Sequence, residues 1–448
     1  MKVIVVGGGL VGSTLAERLA SDGNDVVLIE QSRALVSELN DRFDVQVVCG
    51  NGATVPVLEE AGIATCDMLL ATTDSDEVNM VVALVGSEIF EVPKVITRLR
   101  HSGHEVGFRR IVGDNVDRMA INPEHAAVEK ILSLMPVPGA VDVVPFFDGQ
   151  LVIAGFLVRP TSEFNGLLLS HLRLLFPGNP VLVVAIRRDG QWRVPHGEDE
   201  IIAGDLVYFA VDPAELQNVL VLLGHRHGKE RRMMIAGATR IGIQLAHRLE
   251  AQKVPVTLVE AGRAEAESAA AELESTTVIH GSPTDRDLLG EEGADVVDGF
   301  VACTENHEEN VVACLLARNL GAAHTFALVD NPALASLIAD LGIDAVISPR
   351  LLSVGLALHF ARTGNVKRVA ALLDDAVEAF EAEIPGTSRL VSSPLAKLGL
   401  PRGILVAAVQ RGDRIIVPGG TDRIEPGERV LIITTTEMAS RIDDILER

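Results

Sequence analysis

The sequence predicts two consecutive α/β domains with doubly wound parallel sheets, each followed by a small β-rich module. Three observations support this fold class. A long segment occurs twice, short runs of Val, Ile and Leu alternate with helical patterns, and each such stretch gives way to short strands punctuated by Pro and Gly. With 448 residues and 48% hydrophobic content, the chain is long enough for several separate cores.

The internal repeat spans most of each half. KVIVVGGGLVGSTLAERLA, beginning at Lys2, returns as RMMIAGATRIGIQLAHRLE, beginning at Arg232, a shift of 230 residues (232 minus 2). VVLIE returns as VTLVE at the same shift, and ATTDSDEVN returns as ACTENHEEN one residue further along. Self-similarity at a fixed period indicates two copies of one structural unit.

Within the first copy, apolar runs and helical patterns alternate as in βαβ units. The predicted strands are VIVV, VVLI, VQVV, MLLA and KVIT, and the predicted helices lie near Ser13–Ala20, Arg33–Arg42 and Glu77–Phe90. Two later helical segments, AVEKILSLM and LLSVGLALHFA, are apolar around most of their circumference. We therefore expect each to pack on a surface outside its own sheet, with a second copy of the chain as the hypothesis.

The β-rich modules follow these helices. The first carries an Asp189-Gly190 hairpin signal, and ILVAAVQRGDRIIVP is its counterpart in the second. The predicted domains are residues 1–122, 138–223, 232–348 and 367–448. Between the halves, the basic stretch GHRHGKERR is predicted to be a linker. His225 and His227 could ligate a metal there, but an exposed linker is the preferred interpretation.

Composition narrows the possible partners and location. With 39 Lys and Arg against 62 Asp and Glu, the net charge is -23, which disfavours nucleic acid as a partner. No apolar run approaches the roughly 18 residues that span a bilayer, and no signal peptide is recognisable, so we expect a cytoplasmic protein. The four cysteines have no metal-ligand spacing. We expect reduced, partly buried thiols and no metal site.

A glycine-rich turn lies between the first strand and the first helix. Its G-x-G-x-x-G pattern is typical of the Rossmann dinucleotide-binding fold, in which the glycines allow a tight turn, close approach to a pyrophosphate and tight helix packing. Glu30 ends the second strand 18 residues after the last glycine, where an acid binds ribose hydroxyls and favours NAD(H) or adenosine nucleotides over NADP(H). The candidate residues are Gly7, Gly8, Gly9, Leu10, Val11, Gly12 and Glu30.

Three further candidates follow the fourth and fifth predicted strands. Thr73 and Asp74 lie at the carboxyl edge, where open α/β sheets bind ligands. Arg98 is a candidate partner for a phosphate or carboxylate, with a surface ion pair as the alternative. Asp76 is interpreted as the N-cap of the following helix, with Glu77 and Asn79 also serving the helix end rather than a ligand.

The second half keeps part of this pattern. Gly237, Ala238, Thr239, Arg240, Ile241 and Glu260 are its candidate binding residues. Thr239 replaces the middle glycine and crowds the approach of a pyrophosphate, although Arg240 adds a cation. Leu328 stands where the first half has Arg98. We predict two non-equivalent sites, the second weaker or suited to a different nucleotide.

Two Rossmann units, each followed by a small module, together resemble the regulator-of-conductance (RCK, or KTN) family, and the whole chain is similar to the regulatory subunits of bacterial Trk potassium-uptake systems. The resemblance implies an RCK N-terminal and C-terminal domain in each half. It also implies binding of NAD(H), with ATP or ADP as further ligands, and a ring, a homotetramer, under a membrane-spanning Trk-type channel subunit at the cytoplasmic face of the inner membrane.

The resemblance assigns the first nucleotide site to Gly7–Val11, Glu30, Thr73, Asp74 and Arg98 and the second to Gly237–Ile241 and Glu260, and it predicts no catalytic residue. The sequence leaves two alternatives open. One is an NAD-dependent dehydrogenase or its inactive relative, which the first glycine motif alone would suggest. The other, for the second half, is a scaffold with a degenerate nucleotide fold.

Overall fold

Contacts divide the chain into two units, Met1–Val128 with Ser348–Arg362 and Glu129–Ile347 with Thr363–Arg448. The computed structural model describes the chain except for residues 44, 114–116, 178–180, 226–231, 332–340, 362–365, 373–376, 402, 436–437, 439–445 and 447–448. His227 lies outside the described residues. None of the described helices is long and apolar enough to cross a membrane.

The first Rossmann domain has the parallel strand order β3-β2-β1-β4-β5-β6. Its strands are β1 Lys2–Val6, β2 Asp25–Glu30, β3 Gln46–Cys49, β4 Met68–Ala71, β5 Lys94–Arg98 and β6 Arg118–Ile121. Its helices are α1 Leu10–Ser21, α2 Arg33–Arg42, α3 Val55–Glu60, α4 Asp76–Leu84, α5 Ser102–Val112 and α6 Pro123–Leu134. This order reverses direction between β1 and β4, which is the crevice where such sheets bind ligands.

The first module follows α6 and is antiparallel, in the order β11-β10-β13-β8-β7 with a separate β12-β9 pair. Its strands are β7 Ala140–Phe146, β8 Leu151–Leu157, β9 Leu167–Leu168, β10 Val181–Arg188, β11 Gln191–Arg193, β12 Glu200–Ile201 and β13 Leu206–Val211, with helices α7 Leu172–Leu175 and α8 Leu216–Leu223. Asp189 and Gly190 both have positive φ between β10 and β11, so the predicted hairpin turn is confirmed.

The second Rossmann domain repeats the first topology as β16-β15-β14-β17-β18-β19. Its strands are β14 Met233–Ala236, β15 Val256–Glu260, β16 Thr277–His280, β17 Gly299–Ala302, β18 Thr325–Leu328 and β19 Ala345–Ile347. Its helices are α9 Arg240–Ala251, α10 Arg263–Glu272, α11 Arg286–Glu291 and α12 His307–Leu320. The next helix, α13 Pro349–Ala361, follows β19 in sequence but belongs to the first unit. The predicted fold class, two Rossmann domains each followed by a module, is confirmed.

The second module has the order β20-β21-β24-β22-β23. Its strands are β20 Val366–Leu372, β21 Val377–Glu383, β22 Ile404–Arg411, β23 Arg414–Ile416 and β24 Arg429–Thr435. The two modules share one hydrophobic core, in which Phe147 and Tyr208 of the first meet Ala407 and Leu431 of the second. Arg429 of β24 binds the carboxylates of both Glu381 and Asp148, which links the modules by charge as well.

The partner of α13 lies in the same chain. Val354, Ala357 and Leu358 of α13 join the core of the first Rossmann domain together with Leu15 of α1. The prediction that this helix packs outside its own sheet is confirmed for α13. The hypothesis of a second copy is not needed for these residues, because α1 and its neighbours bury them.

Two local predictions were wrong. Asp76 is not the N-cap of α4, because the Ser75 hydroxyl accepts the amide of Val78 and takes that role. His225 does not belong to an exposed linker, because it is 9% exposed and its ring lies 6.4 Å from that of Phe156. Its burial follows from Gly139, where a Cβ atom would overlap the imidazole.

Candidate nucleotide-binding sites

The glycine-rich loop joins β1 to α1 at the carboxyl edge of the first sheet. Gly7 has a φ of +103°, and a Cβ there would lie 2.9 Å from the amide nitrogen of Thr73. A Cβ at Gly12 would overlap the carbonyl oxygen of Gly7. These two glycines are therefore required by the protein's own backbone and packing.

Gly9 differs from the other two glycines. It is the N-cap of α1 with a φ of -64°, which any residue can adopt, and no atom of the described residues lies within 4 Å of the position its Cβ would occupy. In the described part of the chain, no side chain caps α1. Among the described residues, the amides of Val11 and Gly12 in the first turn donate to no protein acceptor. Such a helix start attracts anions.

Glu30 holds the loop in place. One carboxylate oxygen accepts the amide of Gly8 at 2.7 Å, and the other accepts the amide of Ser32 at 2.7 Å. The acid at the end of β2 thus lies directly beside the glycine loop. Each carboxylate oxygen has a further lone pair that can accept a hydroxyl hydrogen.

Thr73 and Asn79 connect the ends of β4 and β5. The Asn79 carbonyl oxygen accepts the amide of Thr73 at 2.8 Å and its hydroxyl at 2.7 Å. The Asn79 amide donates to the carbonyl oxygens of Thr73 and of Arg98. Asn79 is fully buried, and sequence reasoning missed this bridging role because its position also suits a helix end.

Arg98 is largely buried, with 11% of its side chain exposed, beside an Asp74 side chain that is 96% exposed. Their closest atoms, Nη1 and Oδ1, are 3.5 Å apart. The buried Nε of Arg98 has no hydrogen-bond partner among the described residues. Burial and the nearby charge of Arg100 lower the pKa of Arg98. A poorly neutralised guanidinium at a strand end is suited to an anionic ligand.

Asp76 organises the next loop. Its carboxylate accepts the amides of Arg100 and His101, and the His104 ring lies 3.3 Å away. Burial alone would raise the pKa of Asp76, but the hydrogen bonds from His101 and Arg100 outweigh it and lower the pKa. Asp76 therefore positions the loop after Arg98.

The second half reproduces most of this geometry. Glu260 accepts the amides of Ala238 at 2.6 Å and Gly262 at 2.7 Å, as Glu30 does in the first half. Gly237 has a φ of +111°, close to that of Gly7. The Asn310 amide donates to the carbonyl oxygen of Leu328 at 2.9 Å, so Leu328 is the structural counterpart of Arg98.

The helix start differs between the halves. The Thr239 hydroxyl accepts the amide of Gly242 and donates to the carbonyl oxygen of Cys303. Arg240 is exposed at the first position of α9, where the first half has Leu10, and Ile241 corresponds to Val11. In each half, the structure brings the predicted loop and acid together.

Cys66, Cys303 and Cys314 are free and buried, whereas Cys49 is free and exposed. The sequence predicted reduced, partly buried thiols. Burial raises the pKa of Cys303 to about 12, and that of Cys66 to about 11. In the part of the chain that the structure describes, no group of three or more His, Cys, Asp or Glu side chains could hold a metal.

Comparison with known proteins decides the family. The TrkA-N domain model matches residues 3–119 and 233–349, and the TrkA-C domain model matches residues 153–224 and 379–447. The chain is 35% identical to the Trk system potassium uptake protein TrkA of Azorhizobium caulinodans, covering 99% of this chain and 98% of that protein. The chain belongs to the TrkA family.

Other TrkA proteins and a channel structure extend the comparison. The Trk system potassium uptake protein TrkA of Vibrio alginolyticus is 33% identical over 96% of this chain and 95% of that protein. A solved structure described as the GsuK channel bound to NAD aligns with a TM-score of 0.61 and 19% identity, covering 99% of this chain and 78% of that one. At that identity the likeness concerns the fold, which this TrkA family member shares.

Proposed function

We propose that this chain senses nucleotides with its first Rossmann domain and thereby regulates potassium uptake through a membrane-spanning Trk-type subunit. The observation that carries the proposal is the convergence of three groups at one sheet edge. These are the uncapped start of α1 at Gly9, the Glu30 carboxylate and the partly neutralised Arg98 guanidinium. The TrkA relatives and the NAD-bound GsuK channel, which shares the fold, support it.

Each group has a role toward an adenine nucleotide such as NAD(H), ADP or ATP. The amides at the start of α1 would bind the phosphates, and the open space beside Gly9 allows them to approach the backbone. Glu30 would accept the ribose hydroxyls and repel a 2'-phosphate. Arg98 would supply the positive charge that the phosphates require.

Regulation follows from differential affinity. A nucleotide that binds one arrangement of the domains more tightly than another shifts the population toward it, and a channel attached to those domains responds. No bond has to be made or broken. We propose that the chain acts without catalysis, at the cytoplasmic face of the membrane, as a self-associated ring of the tetrameric kind. The domain limits proposed are 1–122, 138–223, 232–348 and 367–448.

Arg98→Leu tests the proposed site, because it copies the residue that the second half already carries. We expect the affinity for NADH and ADP to fall by about 10- to 100-fold, since a charged hydrogen bond contributes about 1.5–3 kcal/mol. Isothermal titration calorimetry on the full chain measures it. Arg109→Leu is the matched control, because Arg109 lies in the same domain with 72% of its side chain exposed.

Glu30→Gln with Glu260→Gln as its control tests the ribose contact. Both acids hold their loops in the same way, so the loop effect is common to the two variants. Only Glu30→Gln should reduce the preference for NADH over NADPH. An equal affinity of the wild type for NADH and NADPH would contradict the proposed site. So would an Arg98→Leu variant whose affinity for NADH and ADP is unchanged. Turnover of bound NADH with a substrate would instead favour a dehydrogenase.

A further inference from the structure

Two histidines from different domains lie where the first module joins the second Rossmann domain. His225 follows α8, the last helix of the module, and His324 directly precedes β18. Both belong to the second unit, in which β7 of the module contacts β19 of the Rossmann domain, and their charges are close enough to interact. The segment that connects the two domains begins directly after His225. Movement of the module against the Rossmann domain therefore changes the surroundings of both rings.

The first module encloses the His225 ring. Gly224 ends α8 with a φ of +85°, and the amide of His225 donates to the carbonyl oxygen of Leu220 at 2.9 Å. The ring centroid lies 6.4 Å from that of Phe156, and a Cβ atom at Gly139 would overlap the imidazole. His225 is therefore buried, and a positive charge on its ring would be poorly hydrated.

The second Rossmann domain contributes the amino ends of its strands to this junction. The Nδ1 atom of His324 is buried and has no hydrogen-bond partner within the described part of the chain. Asp344, which precedes β19, accepts the amide of Thr325 at 2.9 Å and a guanidinium nitrogen of Arg318 at 3.2 Å. The carboxylate that faces the two histidines is thus already paired with a cation.

The groups that face His225 disfavour its protonation. Burial is the largest cause that lowers the pKa of His225, to about 4. Arg159, two residues after β8, and His324 act in the same direction, and Asp344 opposes them. A second proton at His324 would add one more positive charge to the same place.

His324 is surrounded by charges of both signs. Burial is again the largest cause and lowers its pKa. Asp344 and Asp298, which precedes β17, oppose this effect, whereas Arg159 and Arg318 add to it. Both rings are therefore held neutral while the module and the Rossmann domain are packed together.

We propose that His225 and His324 form an acid-sensitive contact between the first module and the second Rossmann domain, which holds when both rings are neutral and separates when they are protonated. Separation exposes the rings to water and removes them from each other and from Arg159, so each binds a proton more readily. The inference goes beyond the proposed function, because acid changes the arrangement of these domains without any nucleotide.

Hydrogen–deuterium exchange of the full chain at pH 7.5 and pH 5.5, corrected for the intrinsic exchange rate, tests the proposal. A histidine whose pKa returns from about 4 to about 6.5 on separation raises the separated fraction about tenfold between these pH values. Protection should fall by that factor at the starts of β7, β18 and β19. It should be lower there than in the central strands β10 and β13 at both pH values, because separation costs less than unfolding.

Two variants remove the proton sites. His225→Phe keeps an aromatic ring in the buried position, and His324→Gln keeps a polar side chain. Each should reduce the effect of pH on exchange at the junction, and the double variant should abolish it. His196→Phe and His280→Gln are the matched controls, because these histidines are exposed in the same module and in the same Rossmann domain. Both controls should respond to pH as the wild type does.

Three results would overturn the proposal. The first is a wild type whose exchange at the junction is the same at both pH values. The second is a double variant that retains the full effect of pH. The third is a junction that exchanges no faster than β10 and β13, because it would then open only when the module unfolds. Calorimetry with NADH on the same proteins tests the proposed function separately.

Discussion

The carboxylate of Glu30 has a structural role in addition to its proposed ligand contact, because it connects two loops of the protein. Its bonds to Gly8 and Ser32 set the shape of the glycine loop, and Glu260 does the same in the second half. Removing the side chain would disturb the loop along with any ribose contact. For this reason the conservative Glu30→Gln, paired with Glu260→Gln, separates the two roles better than an alanine would.

His225 is a buried histidine in an environment that keeps it neutral. Burial and the nearby Arg159 and His324 lower its pKa to about 4, against a small opposing effect of Asp344. Burial also lowers the pKa of His324. Both rings belong to the second unit, on the α8 side of the first module and at the start of β18.

This environment predicts that acid destabilises the first module. A histidine with a depressed folded pKa binds its proton more readily when unfolded, so stability is lost as pH falls below about 6.5 toward 4. Between pH 7.5 and pH 5, the free energy of unfolding should fall by about 2 kcal/mol less in His225→Phe than in the wild type. Urea unfolding followed by the fluorescence of Trp192, the sole tryptophan of the chain, reports on this module.

His196→Phe is the control for that experiment. His196 is an exposed histidine in the same module, so its replacement should leave the pH dependence as it is in the wild type. If His225→Phe and the wild type lost stability in parallel over this range, the buried neutral histidine would not be the cause.

At the scale of elements, a buried asparagine connects two strand ends in each Rossmann domain. Asn79 bonds to Thr73 at the end of β4 and to Arg98 at the end of β5, and Asn310 bonds to Thr304 and Leu328 in the same way. The repeat preserves this bridge although the neighbouring residues differ. It positions Arg98 in the first half.

Asn79→Ala should destabilise the first Rossmann domain by about 2–4 kcal/mol, because it leaves the Thr73 amide and the Arg98 carbonyl without their buried partner. Hydrogen–deuterium exchange at the β4 and β5 ends should then increase. Asn218→Ala is the control, since Asn218 is exposed on α8 and, within the described part of the chain, its side-chain amide donates to Glu215 alone. Equal protection from hydrogen exchange at the β4 and β5 ends in Asn79→Ala and Asn218→Ala would show that the Asn79 bridge does not hold these strands together.

Sequence periodicity predicted the buried strands because they are short, continuous and apolar on both faces. It missed β6, where Arg118 opens a short edge strand, and it missed α5, whose charged residues weaken the apolar pattern. The predicted helix Glu77–Phe90 ends as an α-helix at Leu84 and continues as a π turn to Ile89. Gly86 packs against Leu69 there, a close contact that composition does not reveal.

The candidate sites were predictable to a similar extent. The glycine spacing and the acid at the end of β2 located the loop and Glu30, because their separation along the chain is set by one βα unit. The bonds of Thr239 and the buried position of Arg98 depend on atoms far apart in sequence. These contacts follow from where strands β4, β5 and β17 lie in the folded sheets, which the sequence pattern alone does not specify.

At the scale of the whole molecule, the repeat itself predicted two Rossmann domains and two modules. What it could not predict is which copy each element contacts. The α13 helix follows the second Rossmann domain in sequence but joins the core of the first, and the two modules share one core. A helix that is apolar on most sides must pack against another element, but its sequence does not identify that element.

We propose that nucleotide binding in the first half alters potassium movement through a membrane partner. Potassium flux into vesicles containing the Trk-type membrane subunit measures this effect when this chain is added and NADH, NAD, ADP or ATP is varied. At least one nucleotide should change the flux, and Arg98→Leu should require about 10- to 100-fold more of that nucleotide. A potassium flux that no nucleotide changes would refute this proposal. A nucleotide response of Arg98→Leu identical to that of the wild type would refute it as well.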